Sequence, residues 1–297
     1  MLKRTFFILL AGFALLWAEG GGAGSGKPGK ELNRVISFNG EELLYVKIVM
    51  GKGRIYIKPA ESQNLFEGDF LYDNKSPRIS YESVGDEGQL YIKFSDVKDR
   101  KKDEEDYSTN ISSLDKLFDN ESELRLSPEV PVNLNMEVGV VKGELDLGGI
   151  KLKDCNLQAG VMKTNIDFSS PNRITLNNMK VEAGVGKLNM YNLGNSNFRH
   201  LSFEGGVGSY NLYFEGKFRQ IADADIHIGM GTLNLYLPRN IGVRIKVDKS
   251  FLTSLNIDDI YKKNDYYYND QWSKTAASLD ISIESGVGKI AVHWLDK

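Results

Sequence analysis

Glu182-Ala-Gly-Val-Gly-Lys-Leu-Asn-Met-Tyr191 contains a phrase that the chain writes again and again. Strict copies open at Gly160 (Gly-Val-Met-Lys-Thr-Asn-Ile), Gly184, Gly206 (Gly-Val-Gly-Ser-Tyr-Asn-Leu), Gly229 (Gly-Met-Gly-Thr-Leu-Asn-Leu) and Gly286 (Gly-Val-Gly-Lys-Ile-Ala-Val). Looser copies open at Gly51 and at Gly139, where Gly143-Glu-Leu-Asp-Leu closes the phrase one residue late. From Gly139 through Gly160, Gly184 and Gly206 to Gly229 the steps are 21, 24, 22 and 23 residues. That period falls in the range of roughly 20 to 50 residues used by stacked-repeat folds.

Within one copy apolar and polar residues alternate, as in a half-buried strand. Val181, Ala183 and Val185 share one parity, and Leu188 and Met190 take the other. The slip falls at the glycine pair, where a bulge or corner needs a residue that tolerates φ above zero. Each period therefore reads as a strand, a Gly-x-Gly corner (Gly184/Gly186, Gly206/Gly208, Gly229/Gly231, Gly286/Gly288), a second strand and a polar turn. The expected fold is all-β: a stacked, solenoid-like repeat of about 22 residues per rung, with two sheets joined at the corners. Their inward faces collect Leu188, Met190, Tyr210, Leu212, Phe214, Leu233, Leu235, Leu237, Ile290, Val292 and Trp294. A dinucleotide-binding reading of the same triplets fails, since each is followed by an alternating strand and not by a helix.

Outside the strict repeat, Lys3 and Arg4 precede an apolar run from Phe6 to Trp17 that ends at Ala18. This is the pattern of a secretory signal over residues 1–18, with an uncleaved N-terminal anchor as the alternative. Residues 19–32 follow as a glycine-rich tether, six of the ten positions from Gly20 to Gly29 being glycine. Gly21 to Lys27 imitates a phosphate-binding loop, but Pro28 stands where Ser or Thr would hold magnesium. Residues 33–99 read as an N-terminal strand region and 100–129 as a charged loop, leaving 130–297 for the repeat domain. Ten of the eleven residues from Asp96 to Asp106 are charged, and Leu114 to Phe118 could form one helical turn. Past Gly229 the next strict copy comes 57 residues on. Ile241 to Val247 alternates well enough to be a strand, and Tyr261 to Gln271 reads as a projecting loop.

The 297 residues carry 40 acidic and 37 basic side chains, a net charge of -3 that lacks the basic excess of a general nucleic-acid binder. One cysteine and three histidines give neither a disulfide framework nor a structural zinc site. No catalytic, metal or cofactor residue is assigned. Cys155 reads as a buried thiol.

Register would stack like residues one strand spacing apart, about 4.8 Å. Asn165, Asn189, Asn211 and Asn234 form an amide ladder. Tyr191, Tyr213 and Tyr236, between Asp167 and His293, form a column that could stabilise the sheet or face a partner protein or glycan. Glu137, Gln158, Glu182, Glu204, His227 and Glu284 form a third column, whose repulsions Lys180, Lys187 or a cation could relieve.

The glycine phrases, with Leu237-Pro238, Ile241-Gly-Val and the closing Ile281-Ser-Ile-Glu-Ser-Gly-Val-Gly-Lys-Ile-Ala-Val, resemble the toast-rack β-repeat domains of bacterial putative adhesins. They are also similar to the C-terminal domain of LiaF-like envelope-stress proteins. The resemblance runs from about Val130 to the C-terminus, with Asn33 to Asp99 as a poorer extension. It implies a stacked β fold and carries no catalytic motif. The group of transmembrane helices that precedes the domain in LiaF-like proteins is not seen here. The expected function is that of an exported, non-enzymatic envelope protein with a structural or adhesin-like role and an envelope protein or glycan as partner. A stress-regulatory domain and a carbohydrate-active β-solenoid enzyme are the alternatives.

Overall fold

The computed structural model describes residues 29–72, 75–94, 120–258 and 260–295. The signal-like segment, the charged run from Asp96 and the Leu114 to Phe118 segment lie outside them. Among the described residues, 16 strands build a single sheet. Its middle consists of long strands laid side by side in parallel: β2 (Leu43–Pro59), β7 (Val132–Asp146), β8 (Leu152–Asp167), β9 (Leu176–Tyr191), β10 (Phe198–Tyr213), β11 (Ile221–Pro238) and β16 (Ser278–Leu295). Copies of the repeat lie in register, so Leu188, Tyr210, Leu233 and Ile290 face one another rung by rung. The copy at Gly139 is in register too, Leu145 opposite Ile166, without the one-residue offset that its spelling suggests.

The two expected sheets are two limbs of one folded sheet. Pairing runs through each corner and omits one position, that of Gly51, Gly139, Gly160, Gly184, Gly206, Gly229 and Gly286. The backbones approach too closely there for any side chain. A Cβ on Gly160 would stand 2.8 Å from the carbonyl oxygen of Gly139, one on Gly184 2.7 Å from that of Gly160, and one on Gly229 2.7 Å from that of Gly206. Two positions on, Gly231 and Gly288 carry φ of 137° and 140°, which other residues avoid.

Gly208, the second glycine of its own corner, corrects the expectation that these positions call for glycine through a positive φ. It is absent from the residues of positive φ, although it pairs in register with Gly186 and Gly231 on the neighbouring rungs. Space is what excludes a side chain from Gly208. A Cβ there would run into the carbonyl oxygen of Gly186 and stand 2.9 Å from the hydroxyl of Tyr210. Close approach is thus common to both glycines of a corner, and the unusual backbone angle is not. The fold back is tight. The rings of Phe203 and Tyr210 lie 5.2 Å apart, whereas seven residues of straight strand would span about 23 Å.

Both limbs now turn one face to the same core. Met179, Val181 and Ala183 before the corner are buried with Leu188 and Met190 after it. Val185 departs from the expected parity and is 38% exposed, as are Val207 at 48% and Met230 at 50%. The slip occurs at this residue: Gly184 and Val185 both point outward, and the inward parity resumes at Gly186.

Each end of the stack closes with a rung made of two separate strands. β5 (Glu87–Lys93) pairs with the first limb of β2 and β6 (Glu121–Leu126) with the second. At the other end β12 (Gly242–Lys249) and β13 (Thr253–Asn256) pair with the two limbs of β16. Chain order is broken at both places, so β2 lies between β6 and β7, and β16 between β11 and β12. Antiparallel strands finish the ends: β4 (Arg78–Val84) on β5, β3 (Asn64–Tyr72) on β6, and β1 (Lys30–Ser37) on β3. The Tyr261 to Gln271 segment is mostly strand, not a projecting loop. β14 (Tyr261–Lys263) pairs with β15 (Tyr266–Tyr268), and β15 with β12. Arg244 accounts for this by lying 4.9 Å from the ring centres of both Tyr266 and Trp272 while it pairs with Asp280.

Replacing Gly184 by Ala forces adjacent rungs apart and is expected to cost about 2 kcal/mol or more. Val185→Ala, one residue on and exposed, is expected to stay within about 0.5 kcal/mol. Urea unfolding of the two variants checks this, and equal midpoints would remove the close-approach account.

Candidate functional site

Once Leu188 and Met190 point inward, Lys187, Asn189 and Tyr191 must point out, and register repeats that choice on every rung. The outer face of the second limb is therefore a platform ruled into three columns. The column nearest the corner holds Arg54, Lys142, Lys163, Lys187, Ser209, Thr232 and Lys289. The middle one holds Tyr56, Glu144, Asn165, Asn189, Asn211, Asn234 and Ala291. The outermost includes Asp146, Asp167, Tyr191, Tyr213, Tyr236 and His293.

The asparagines form the expected ladder. The Nδ2 group of Asn189 donates to Oδ1 of Asn165 at 2.8 Å, that of Asn211 to Asn189 at 2.7 Å, and that of Asn234 to Asn211 at 2.6 Å. Each interior amide donates to one neighbour and accepts from the other, so the column stabilises the stack.

The tyrosines stack on one another. Ring centres of Tyr191 and Tyr213 are 4.8 Å apart at 26°, those of Tyr213 and Tyr236 4.0 Å apart at 5°, and those of Tyr236 and His293 4.8 Å apart at 21°. Their flat faces are occupied by each other, so what the column offers a partner is a row of ring edges and hydroxyls. A sugar could stack on a ring face only at an end of the column.

The acidic column lies on the first limb and is relieved from within the protein. Lys180 pairs with Glu182 and lies 4.0 Å from Glu204, Lys47 lies 2.9 Å from Glu137, and Nδ1 of His227 lies 3.1 Å from Glu284. His200 sits on a different column, its Nδ1 2.7 Å from Asp223. The three histidines are not brought together. Among the described residues no group of three His, Cys, Asp or Glu side chains could hold a metal ion.

One feature of the platform escapes a reading of the sequence. A depression of about 260 Å³ lies among Tyr56, Lys142, Gly143, Glu144, Lys163, Thr164, Asn165, Lys187 and Asn189. Thr164 is 4% exposed, and its hydroxyl has no hydrogen-bond partner. The lysines stand three residues after the first glycine of their copies, a regularity present in the sequence.

Residues 25–191 match the family model described as the N-terminal domain of toast_rack, DUF2154. The chain belongs to this family. The match takes in the N-terminal strands, which the repeat alone marked as the poorer part of the toast-rack resemblance. No curated protein matches the chain. Among solved structures, a putative cell adhesion protein from Clostridium sporogenes ATCC 15579 is 22% identical with a TM-score of 0.47, the alignment covering 91% of this chain and 100% of that one. A putative adhesin from Bacteroides fragilis NCTC 9343 is 15% identical with a TM-score of 0.35, over 89% of this chain and 97% of that one. Among the described residues of this toast-rack chain no helix is long and apolar enough to cross a membrane.

Burial, followed by the hydrogen bond with Tyr236 and the charges of its neighbours, pushes the Tyr213 phenol up to about 12. Burial pushes Tyr210 and Cys155 up to about 12 as well, the charge of Asp154 adding to the shift at Cys155. Each group keeps its proton longer in the folded than in the unfolded chain, so the stability tied to it is complete below its unfolded pKa and is lost as pH rises toward 12. The urea midpoint is expected to fall from about pH 9 upward, and Tyr213→Phe to flatten part of the fall above about pH 10. A midpoint constant across that range would contradict the assignment.

Proposed function

We propose that this toast-rack chain is an exported, non-enzymatic interaction protein of the cell envelope, adhesin-like in presenting a rigid, patterned face to a partner. The observation that carries the reading is the platform on the second limb. Its outward residues are held in register over seven rungs, so a partner meets an array whose ordering cost was met on folding. Export is supported by Lys3 and Arg4 ahead of the Phe6 to Trp17 run, and by the glycine-rich stretch from Gly20. The non-enzymatic reading is supported by the engagement of His200, His227 and His293 by Asp223, Glu284 and Tyr236 on separate columns. The tyrosine column suits a polar partner that hydrogen-bonds to a line of hydroxyls.

The test is capture from a native envelope fraction by the mature chain and by two triple variants at Tyr191, Tyr213 and Tyr236, one to Ser and one to Phe. The Ser variant loses the stack, while the Phe variant keeps the rings and loses the hydroxyls. A component held by the parent and released by both variants is the expected result. Capture unchanged in the Ser variant, with its circular dichroism intact, would return the column to sheet stabilisation.

A further inference from the structure

The depression on the basic half of the platform combines three kinds of group in one place. Lys142, Lys163 and Lys187 come from adjacent rungs, so their ammonium-bearing side chains are rooted about 4.8 Å apart along a line. Like charges one rung apart repel, and an extended anion lying along the column would relieve all three at once. Beside them Asn165, Asn189 and Glu144 supply amide donors and acceptors and one carboxylate, groups suited to hydroxyls. Thr164 lines the same depression, nearly fully buried with its hydroxyl unpartnered. A buried hydroxyl left without a partner is costly, and a ligand atom at this point would satisfy it.

We infer that this depression binds a carboxylated polysaccharide, one uronate-type residue in the depression and its neighbours extended along the lysine column. The inference deepens the reading of the chain as an interaction protein and rests on it. Three features favour this ligand. The volume of about 260 Å³ is below the roughly 300 Å³ at which pockets for drug-sized ligands begin, and suits a single sugar unit. The rung spacing is close to the length of one pyranose ring in an extended chain, so successive carboxylates can meet successive lysines. Glu144 would repel a bare phosphate but can accept hydrogen bonds from sugar hydroxyls. The site is distinct from the tyrosine column: Tyr213 and Tyr236 lie on rungs beyond it, and the lysine column gives way there to Ser209 and Thr232.

The experiment measures binding of the full mature chain to polygalacturonate, to the same polymer fully methyl-esterified, and to inorganic polyphosphate. Binding to polygalacturonate, weakening as salt rises and lost on esterification, is expected. Lys163→Ala with Lys187→Ala should weaken it about tenfold or more, while Tyr213→Ser leaves it unchanged. Thr164→Val removes the unpartnered hydroxyl, so the variant should be at least as stable as the parent and still bind less tightly. Polyphosphate binding as tight as polygalacturonate would mean that charge alone is recognised and would overturn the assignment. So would equal binding of the esterified polymer, or parent affinity in the lysine double variant. If no polymer binds while the tyrosine variants still lose their envelope component, this inference falls and the interaction reading stands. Loss of both results would remove both.

Discussion

The close approach of backbones along the glycine line is the constraint on which the rest of the molecule depends. At that line the carbonyl oxygen of one rung occupies the space that a Cβ of the next would need. Only a column of glycines lets the sheet fold sharply while keeping parallel register on both sides. Without the fold, one face of every long strand would be left without a partner. With it, Phe203 and Tyr210 meet across the corner, and the hydroxyl of Tyr210 reaches the carbonyl of Ala183 on the rung before. The core is thus shared between neighbouring rungs as well as between limbs, so a single rung has nothing to fold against.

Register turns a repeated sequence into columns, and the columns differ in what they do for the stack. Asparagine is well matched to its own kind, since an amide both donates and accepts and can continue the ladder without end. Tyrosine is matched through its ring face. Lysine and glutamate are mismatched to their own kind, and their columns need outside relief. On the first limb Lys180 supplies it to Glu182 and Glu204. On the second limb the lysines share their depression with only one acid, Glu144. The platform thus has a self-satisfied half and a half with net positive charge, and this asymmetry favours the basic half as the place for a ligand.

Much of this is legible in the sequence because it is local and periodic. The phrase around Gly184 announces the corner, its spacing the rung, and the constant Asn and Tyr positions the two ladders. What makes glycine necessary is harder to read: Gly208 and Gly231 occupy the same place in their phrases, yet only Gly231 has a positive φ. The common cause is the carbonyl of the next rung, a contact between residues some 22 positions apart that no single phrase displays. The exposure of Val185 is misread for want of one residue, since alternation locates a slip only to within the glycine triplet. The split end rungs leave no such mark. That β16 enters between β11 and β12 is a matter of pairing across 57 residues, and nothing in Gly286-Val-Gly records which rung it will lie against. The strands at Tyr261 and Tyr266 escape notice because Arg244 and Trp272, which hold the segment, are distant residues that give it no alternation of its own.

The end rungs show why the repeat cannot simply run on. A parallel stack of equal rungs would present an open edge at each end, and open edges invite further copies. Here each outermost rung is divided into two short strands, and antiparallel strands are laid on it, so the parallel edge is covered where described. On the finished C-terminal side β14 carries Lys262 and Lys263, charges that resist another strand. The second limb keeps its regular platform because the irregularity is confined to the ends. A stack of fixed length with a regular middle can hold a repeating ligand in register without itself growing into a fibre.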